Sequence, residues 1–281
     1  MQTETLRQFV RDALGTGVVE MTSLRGGDVA DAYRVTLAGG TCVFAKTHAA
    51  PPPNFFSTEA AGLRWLRDAN ALPVAEVIAV ADDPAFLVLE WIEERAGLPE
   101  DEAAFGRDLA ALHQAGAATF GREDRRTTGS RGLPNQACPT WAEFFASQRL
   151  APIAQLIGEP FASRLDAVAD RIEERAGPSE PVARLHGDLW AGNRLVDTHG
   201  ASWLIDPACF GGHREFDLAM MRLFGGFADA AFCAYAEVFP LADGWQSRVA
   251  LYQLAPLGIH AVKFGSGYFG RLDDALRSVG C

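Results

Sequence analysis

Apolar positions change from a helical to a strand-like period within the first 50 residues of the chain. The opening positions recur every three or four residues and predict an amphipathic helix that ends at Gly15. Runs rich in β-branched and aromatic residues follow, and glycine turns separate the first of them. They predict strands at residues 18–24, 30–37, 41–46, 74–80 and 85–92, with a helix at about residues 57–69. Together these elements predict a small antiparallel-sheet lobe over residues 1–92.

Beyond residue 92, the apolar positions mostly keep the period of an α-helix. The pattern predicts helices at about residues 101–118, 140–157, 160–176, 217–238 and 245–264. A hairpin interrupts them, because apolar strands at residues 194–196 and 201–205 flank a turn at residues 197–200. The predicted fold class is therefore α+β, with a small sheet lobe over residues 1–92 and a larger, mostly helical lobe over residues 93–281.

One long segment, residues 121–139, is rich in Arg, Thr, Gly and Pro and predicts a loop. Loops of this size beside a functional site often recognise substrate, whereas elsewhere they are plain surface. The sequence leaves both interpretations open.

Charge and composition narrow the class of protein. The chain carries 25 Lys and Arg against 36 Asp and Glu, a net charge of −11 without a basic stripe, so we expect no nucleic-acid partner. The N-terminus lacks a signal-peptide pattern, and no apolar stretch approaches the ~20 residues of a membrane span. We therefore expect a cytoplasmic protein without a membrane partner. The length allows one or two domains. We also expect a monomer rather than an obligate oligomer.

The cysteines are odd in number, widely spread and without a Cys-x-x-Cys pair. This pattern predicts reduced thiols and neither a disulfide framework nor a zinc site. The five residues are Cys42, Cys138, Cys209, Cys233 and Cys281.

The candidate chemistry is concentrated in the sequence His-Gly-Asp-Leu-Trp-Ala-Gly-Asn at residues 186–193. Asp188 precedes Asn193 by five residues, and Asp206 follows Asn193 by thirteen, at the end of the next apolar strand. This order matches the base and the two magnesium ligands of a kinase: Asp188 would accept a hydroxyl proton, and the other two would hold Mg²⁺. Each residue alone could be an ordinary turn residue, but the joint spacing favours a site for ATP, Mg²⁺ and a hydroxyl acceptor.

The first lobe contains side chains that match other parts of a kinase. Lys46 ends the third predicted strand, where a kinase keeps the lysine that contacts the α- and β-phosphates, and Glu59 lies on the next helix, placed to pair with it. A surface Lys and a Glu near a helix start are the alternatives. The backbone C=O of Glu90 and N–H of Ile92 are candidates for the adenine edge; a buried strand entering a linker is compatible with that role.

A glycine turn gives a weaker signal in the same lobe. Gly26 and Gly27 lie between two predicted strands, where glycine lets backbone amides approach phosphate. The full G-x-G-x-x-G pattern is absent, and the carboxylate of Asp28 would disfavour phosphate. The predicted tasks are nucleotide binding for residues 1–92, and the catalytic loop and substrate site for residues 93–281.

The chain resembles, nearly from end to end, the fructosamine kinase (ketosamine-3-kinase) family. That family lies within the aminoglycoside and choline kinase-like group, which shares the protein-kinase-like bilobal fold. The resemblance rests on residues 186–193, 205–208, 211–220, 223–227 and 264–268. It implies ATP-dependent phosphorylation of the 3-hydroxyl of a ketose joined to an amine, in small-molecule or protein-linked form. The phosphorylated product would then decompose and free the amine, which is a deglycation repair.

Some positions depart from the family pattern or allow two roles. Many relatives look to have a cysteine in the glycine turn, whereas this chain has Asp28, which puts redox control there in doubt. Trp190 could form a wall for the sugar or its amine, or be a half-buried core residue. Asp217 could accept hydrogen bonds from the catalytic-loop backbone or be a plain N-cap.

Two rival functions stay open. The first is an aminoglycoside- or choline-type phosphotransferase, which the Gly-Gly-Phe and Gly-Ser-Gly-Tyr segments argue against. The second is a pseudokinase scaffold that binds nucleotide without catalysis. Retention of one set of candidates disfavours this second function, namely Lys46, Glu59, Asp188, Asn193 and Asp206 together.

Overall fold

A computed structural model describes residues 2–24, 30–122, 124, 127–128 and 132–281 of the chain. Its N-terminal part is built around an antiparallel five-stranded sheet in the order β1-β2-β3-β5-β4. The elements in chain order are α1 (Gln2–Leu14), β1 (Val18–Leu24), β2 (Asp31–Leu37), β3 (Cys42–Thr47), α2 (Phe55–Arg67), β4 (Val77–Asp82) and β5 (Ala85–Glu90). The predicted small antiparallel sheet is confirmed.

Two strand ends differ from the sequence prediction. β4 begins at Val77 instead of residue 74, because Val74 forms a parallel bridge with Leu204 of the C-terminal part. β5 ends at Glu90 instead of residue 92, and the following linker pairs with the C-terminal part through Arg95 N, which donates to Val196 O (2.9 Å). Contacts between the two parts therefore decide where these strands end.

The C-terminal part is mostly helical, with short strand pairs. Its helices are α3 (Pro99–Gln114), α4 (Trp141–Phe144), a π-helix (Phe145–Leu150), α5 (Ala151–Ile157), α6 (Phe161–Ala169), α7 (Ile172–Arg175), a 3₁₀ turn (Ala191–Asn193), α8 (Glu215–Phe224), α9 (Asp229–Val238), α10 (Trp245–Phe264) and α11 (Ser266–Ser278). The strand pairs are β6 (Thr127–Thr128) with β7 (Leu133–Pro134), β8 (Ala183–Leu185) with β11 (Phe210–Gly212), and β9 (Arg194–Val196) with β10 (Ser202–Leu204). The predicted α+β class is confirmed.

Several helix predictions need correction. The helix predicted at residues 217–238 is divided into α8 and α9, because Gly225 and Gly226 have left-handed φ values of 71° and 88°. The helix predicted at 160–176 is divided into α6 and α7, where Arg171 leaves the helical conformation with φ −117° and ψ 15°. Helix α11 and the β8–β11 pair were not predicted, and the β6–β7 pair lies within the predicted loop 121–139.

The buried apolar residues form three clusters. One lies between α1 and the sheet and includes Val10 and Val35. A second lies among the C-terminal helices. The third joins both parts, since Leu63 of α2 and Leu89 of β5 belong to the same cluster as Leu109 of α3. The hydrophobic core is thus continuous across residue 92, and the division of the chain at that residue stays a prediction.

Candidate active site

The loop that carries Asp188 runs from β8 to β9 and is held in place by Asp217. Asp217 is fully buried; its Oδ2 accepts the N–H of His186 (2.7 Å) and its Oδ1 accepts the N–H of Gly187 (2.9 Å). Glycine is required at 187, because φ is 80° and a Cβ there would lie 2.2 Å from the carbonyl oxygen of Ala208. Of the two predicted roles of Asp217, the structure shows the hydrogen bonds with the backbone of the loop that carries Asp188.

The predicted hairpin is confirmed, and it brings Asn193 and Asp206 together. Ile205 N donates to Asn193 O (3.1 Å) at the open end of the β9–β10 pair. The Nδ2 of Asn193 donates to Asp188 O (2.8 Å) and lies 3.3 Å from Asp188 Oδ2 and 3.5 Å from Asp206 O. Because Nδ2 is used in these bonds, the amide oxygen is the atom of Asn193 that can bind a cation.

Lys46 connects the sheet to this site. Its Nζ lies 2.6 Å from Oε1 of Glu59 and 2.6 Å from Oδ1 of Asp206, with the lysine side chain 8% exposed. The expected contact between Lys46 and Glu59 is present, and the structure adds Asp206 as a second partner that the sequence did not predict. Asp206 has a left-handed φ of 51°, a conformation that costs energy for a residue with a Cβ and is concentrated at functional sites.

Helix α2, which carries Glu59, is fixed by both parts of the molecule. The Oδ1 of Asp82 accepts the N–H of Phe56 (3.1 Å) and so satisfies the first turn of the helix. Near the other end of the helix, Arg184 Nη1 donates to Trp65 O (2.6 Å). Sequence reasoning missed Asp82 and Arg184, because these contacts join segments far apart in the chain.

The electrostatics of the site favour an added cation. Burial, and next the charge of Asp206, raises the pKa of Asp188 to about 7. Burial also raises the pKa of Glu59 to about 7, against the opposing charge of Lys46. Burial alone would lower the pKa of Lys46, but the charges of Asp206 and Glu59 raise it above its usual range. A divalent cation beside Asp188 and Asp206 would relieve the repulsion between these carboxylates.

The donor atoms fit Mg²⁺ bound together with a nucleotide. Asn193 and Asp206 offer hard oxygen ligands, and Mg²⁺ usually takes one or two carboxylates while phosphates and water complete its shell. Within the described ranges of the chain, no group of three or more His, Cys, Asp or Glu side chains could hold a metal ion alone. This arrangement suits an ion that arrives with phosphate oxygens.

The remaining nucleotide candidates lie where β5 enters the linker. The carboxylate of Glu90 accepts the N–H of Glu76 (2.7 Å) and pairs with Arg67 (3.2 Å), so its side chain fixes the end of β5. Its predicted adenine contact involves the backbone C=O alone. Ile92 lies in the linker and is 9% exposed. Gly26 and Gly27, predicted to approach phosphate, lie outside the residues that the structure describes.

Trp190 heads a group of aromatic side chains beside Asp188, which we call the aromatic wall. Trp190 is 39% exposed, and its ring lies over Gly192, where a Cβ would come within 2.2 Å of the indole. The rings connect in sequence, with centroid distances of 6.3 Å from Trp190 to Phe224, 5.3 Å from Phe224 to His260, 5.1 Å from His260 to Tyr268 and 5.8 Å from Tyr268 to Phe264. The wall joins the loop that carries Asp188 to the segments 223–227 and 264–268.

The sequence profile of the fructosamine kinase family matches residues 2–279. The chain belongs to the fructosamine kinase family. It is therefore a phosphotransferase of the ketosamine kinase type, and kinase activity implies the use of ATP.

Individual relatives agree with this membership. A protein of Synechocystis sp. assigned as a ketoamine kinase is 34% identical over 282 residues, which cover 98% of this chain and 95% of the relative. A crystal structure from Thermobifida fusca, assigned as a fructosamine-3-kinase, has a TM-score of 0.89 and 37% identity, with 98% of each chain covered. The choline kinase LicA of Streptococcus pneumoniae has a TM-score of 0.69 at 16% identity, over 99% of this chain and 100% of LicA, and shows the kinase-like fold alone.

In the described part of the chain, none of the helices has the length and apolar character that crossing a membrane requires.

Proposed function

We propose that this fructosamine kinase family member transfers the γ-phosphoryl group of ATP to the 3-hydroxyl of a ketosamine in the cytoplasm and thereby acts in deglycation. The observation that carries the proposal is the assembled site. Asp188, Asn193 and Asp206 meet within hydrogen-bonding distance at one hairpin, and Lys46 joins Asp206 to Glu59. Phosphoryl transfer needs this combination of positioning and charge neutralisation more than covalent help.

Each polar group has a distinct proposed role. Asp188 accepts the proton of the attacking hydroxyl, and its pKa of about 7 suits a base that works near neutral pH. Asn193 and Asp206 hold Mg²⁺, which neutralises charge on the phosphates when bound. Lys46, held between Glu59 and Asp206, contacts the α- and β-phosphates.

The neighbourhood of Asp188 supports a sugar acceptor over a polycation. The aromatic wall offers Trp190 and Phe264, 39% and 45% exposed, as apolar faces for a sugar ring or its amine. Lys263 lies over the ring of Phe264 (5.1 Å), and its charge partly opposes the rise in the pKa of Asp188 that burial and the charge of Asp206 cause. A positive charge at this place disfavours polycationic aminoglycosides, which would need converging carboxylates.

A panel assay tests the proposal. Fructosyl-, ribulosyl- and erythrulosyl-amines are compared with kanamycin and choline at fixed Mg·ATP, and phosphorus-proton coupling in the product identifies the phosphorylated carbon. We expect turnover of ketosamines with phosphate on C3. Robust turnover of kanamycin or choline, with none of any ketosamine, would overturn the substrate assignment. Absence of phosphoryl transfer to every acceptor would favour the pseudokinase alternative.

A further inference from the structure

The segment of residues 225–228, between α8 and α9, lies directly against the 3₁₀ turn that precedes β9. Gly226 has a φ of 88°, and a Cβ there would lie 2.5 Å from the Cβ of Ala191. Contacts between real Cβ atoms do not come this close, so the approach requires glycine. Ala191 begins the turn that ends at Asn193, and the proposed function assigns no role to this segment.

A largely buried carboxylate, that of Glu102, connects the same segment to the residue after Asn193. The Oε2 of Glu102 accepts the N–H of Ala228 (2.8 Å), and its Oε1 accepts from Nη1 of Arg194. The side chains of Arg194 and Glu102 are 5% and 12% exposed. Arg194 also donates from Nε to Ser202 Oγ (3.0 Å), which links the two strands of the hairpin.

Aromatic packing completes the connection. The ring of Phe227 stacks on Phe105 of α3 with a centroid distance of 5.4 Å. The guanidinium of Arg194 lies 4.4 Å from the centroid of Phe105 and 5.8 Å from that of Phe227. The segment therefore contacts the catalytic hairpin at Ala191 and, through Glu102 and these rings, at Arg194, on either side of Asn193.

We propose that residues 225–228 form a positioning element that sets the conformation of the turn Ala191–Asn193, and through it the metal ligand Asn193. The inference rests on the proposed function, because it concerns the role given there to Asn193. The turn is closed by the N–H of Asn193 donating to Trp190 O (2.9 Å). A misplacement of about 1 Å in such a turn can reduce turnover by about 10²-fold. Neither Gly226 nor Glu102 needs to touch substrate for this effect.

A mutant cycle with a matched control isolates the contact. Gly226→Ala adds a Cβ that collides with Ala191. Gly225→Ala is the control, because Gly225 also has a positive φ (71°), while a Cβ there would have none of the described atoms within 4 Å. In the Ala191→Gly background, the nearest atom to a Cβ at Gly226 is the Cα of residue 191, at 3.9 Å, an ordinary contact. Backbone strain affects both glycine variants, whereas the collision affects one.

Two measurements report on the conformation of the turn Ala191–Asn193. The first is amide hydrogen exchange at Asn193 in the ligand-free protein; the second is kcat together with the Mg²⁺ concentration for half-maximal rate. We expect Gly226→Ala to accelerate exchange and to lower kcat by about tenfold or more relative to Gly225→Ala, because the collision with Ala191 displaces the turn that carries Asn193. In the Ala191→Gly background, the effect of Gly226→Ala should shrink to that of Gly225→Ala. Equal effects of the two glycine variants, or no rescue, would overturn the proposal.

A second variant covers the case in which Gly226→Ala fails to fold. Glu102→Gln keeps the shape of the side chain and removes its charge, and Asp273→Asn does the same at the distant Arg164–Asp273 pair (2.6 Å). We expect Glu102→Gln to raise the Mg²⁺ requirement several-fold and Asp273→Asn to change melting temperature alone. A change confined to melting temperature in both would refute the positioning role.

The exchange measurement separates this proposal from the proposed function. If the wild type phosphorylates no ketosamine but exchange at Asn193 follows the mutant cycle, the substrate assignment fails and the positioning element stands. If the wild type is active and the cycle shows no coupling, the positioning element fails alone.

Discussion

Asp188→Asn should affect catalysis and stability in opposite directions. The substitution removes the proposed base, so kcat should fall by at least ~10²-fold, the scale of general-base catalysis. It also removes a carboxylate whose pKa is raised to about 7 by burial and by Asp206. A charged Asp188 is therefore unfavourable in the folded protein, and its replacement by a neutral amide should stabilise the ligand-free protein above neutral pH.

The sign and size of this change in stability follow from the linkage between proton binding and folding. The folded-state pKa of Asp188 is about 7 against an ordinary value of 3.8, so the folded state binds the proton more tightly than the unfolded state. The stability from this proton is complete below pH 3.8, decreases above it and is lost as the pH passes 7. Each pH unit between these limits is worth ~1.4 kcal/mol, so about 3 kcal/mol separates pH 5 from pH 8. Because the carboxylate is only half-buried, screening by solvent makes this figure a ceiling.

Denaturant unfolding of wild type and Asp188→Asn at pH 5 and pH 8, without nucleotide, measures the effect. The variant's stability relative to wild type should increase by up to about 3 kcal/mol from pH 5 to pH 8. Asp273→Asn is the control of opposite sign, because its hydrogen bond with Arg164 holds the pKa of Asp273 below its usual range, so the variant should be destabilised near neutral pH. A pH-independent difference for Asp188→Asn would refute the electrostatic reasoning, and near-wild-type kcat would remove Asp188 from the mechanism.

Three further predictions test the other parts of the site. Asp206→Ala and Asn193→Ala each remove one proposed oxygen ligand of Mg²⁺. Asp206→Ala should abolish Mg²⁺-dependent turnover, whereas excess Mg²⁺ should partly rescue the turnover of Asn193→Ala. Unchanged turnover together with unchanged Mg·ATP affinity by calorimetry would contradict both assignments. Lys46→Met should raise KM for ATP and lower kcat while KM for the ketosamine stays nearly constant; a selective rise in the ketosamine KM would argue against phosphate contact. Trp190→Ala should raise KM for the ketosamine and leave KM for ATP nearly unchanged, with little loss of melting temperature because the indole is 39% exposed. If Trp190 were instead a core residue, its removal would cost roughly 3–5 kcal/mol and both KM values would shift together.

The local signals in the sequence were sufficient to predict most helices and strands and the order of the candidate residues along the chain. The hairpin of β9 and β10 followed from two apolar runs around a turn, and it was found where predicted. Helix breaks were less predictable. The apolar pattern of residues 217–238 continues through Gly225 and Gly226, whose left-handed φ values divide the helix. A Gly-Gly pair inside a periodic run lowers the expectation of a continuous helix without fixing the break.

The amino-acid sequence by itself determined the chemical groups of the site and their order: Asp188, Asn193 and Asp206 at fixed spacing, with Lys46 and Glu59 on consecutive elements. Spacing of this kind is local, because a strand pair and a turn convert it directly into proximity.

The tertiary structure decided what surrounds those groups. It placed Asp206 beside Lys46 as a second carboxylate partner, and it brought Gly226 into contact with Ala191. It also produced the burial that raises the pKa of Asp188. Each of these features depends on packing between segments that are separated in the chain. Burial and charge interactions depend on which surfaces pack together, and the free energy of packing belongs to the whole core, which here is continuous across both parts. The period of one segment does not contain that information.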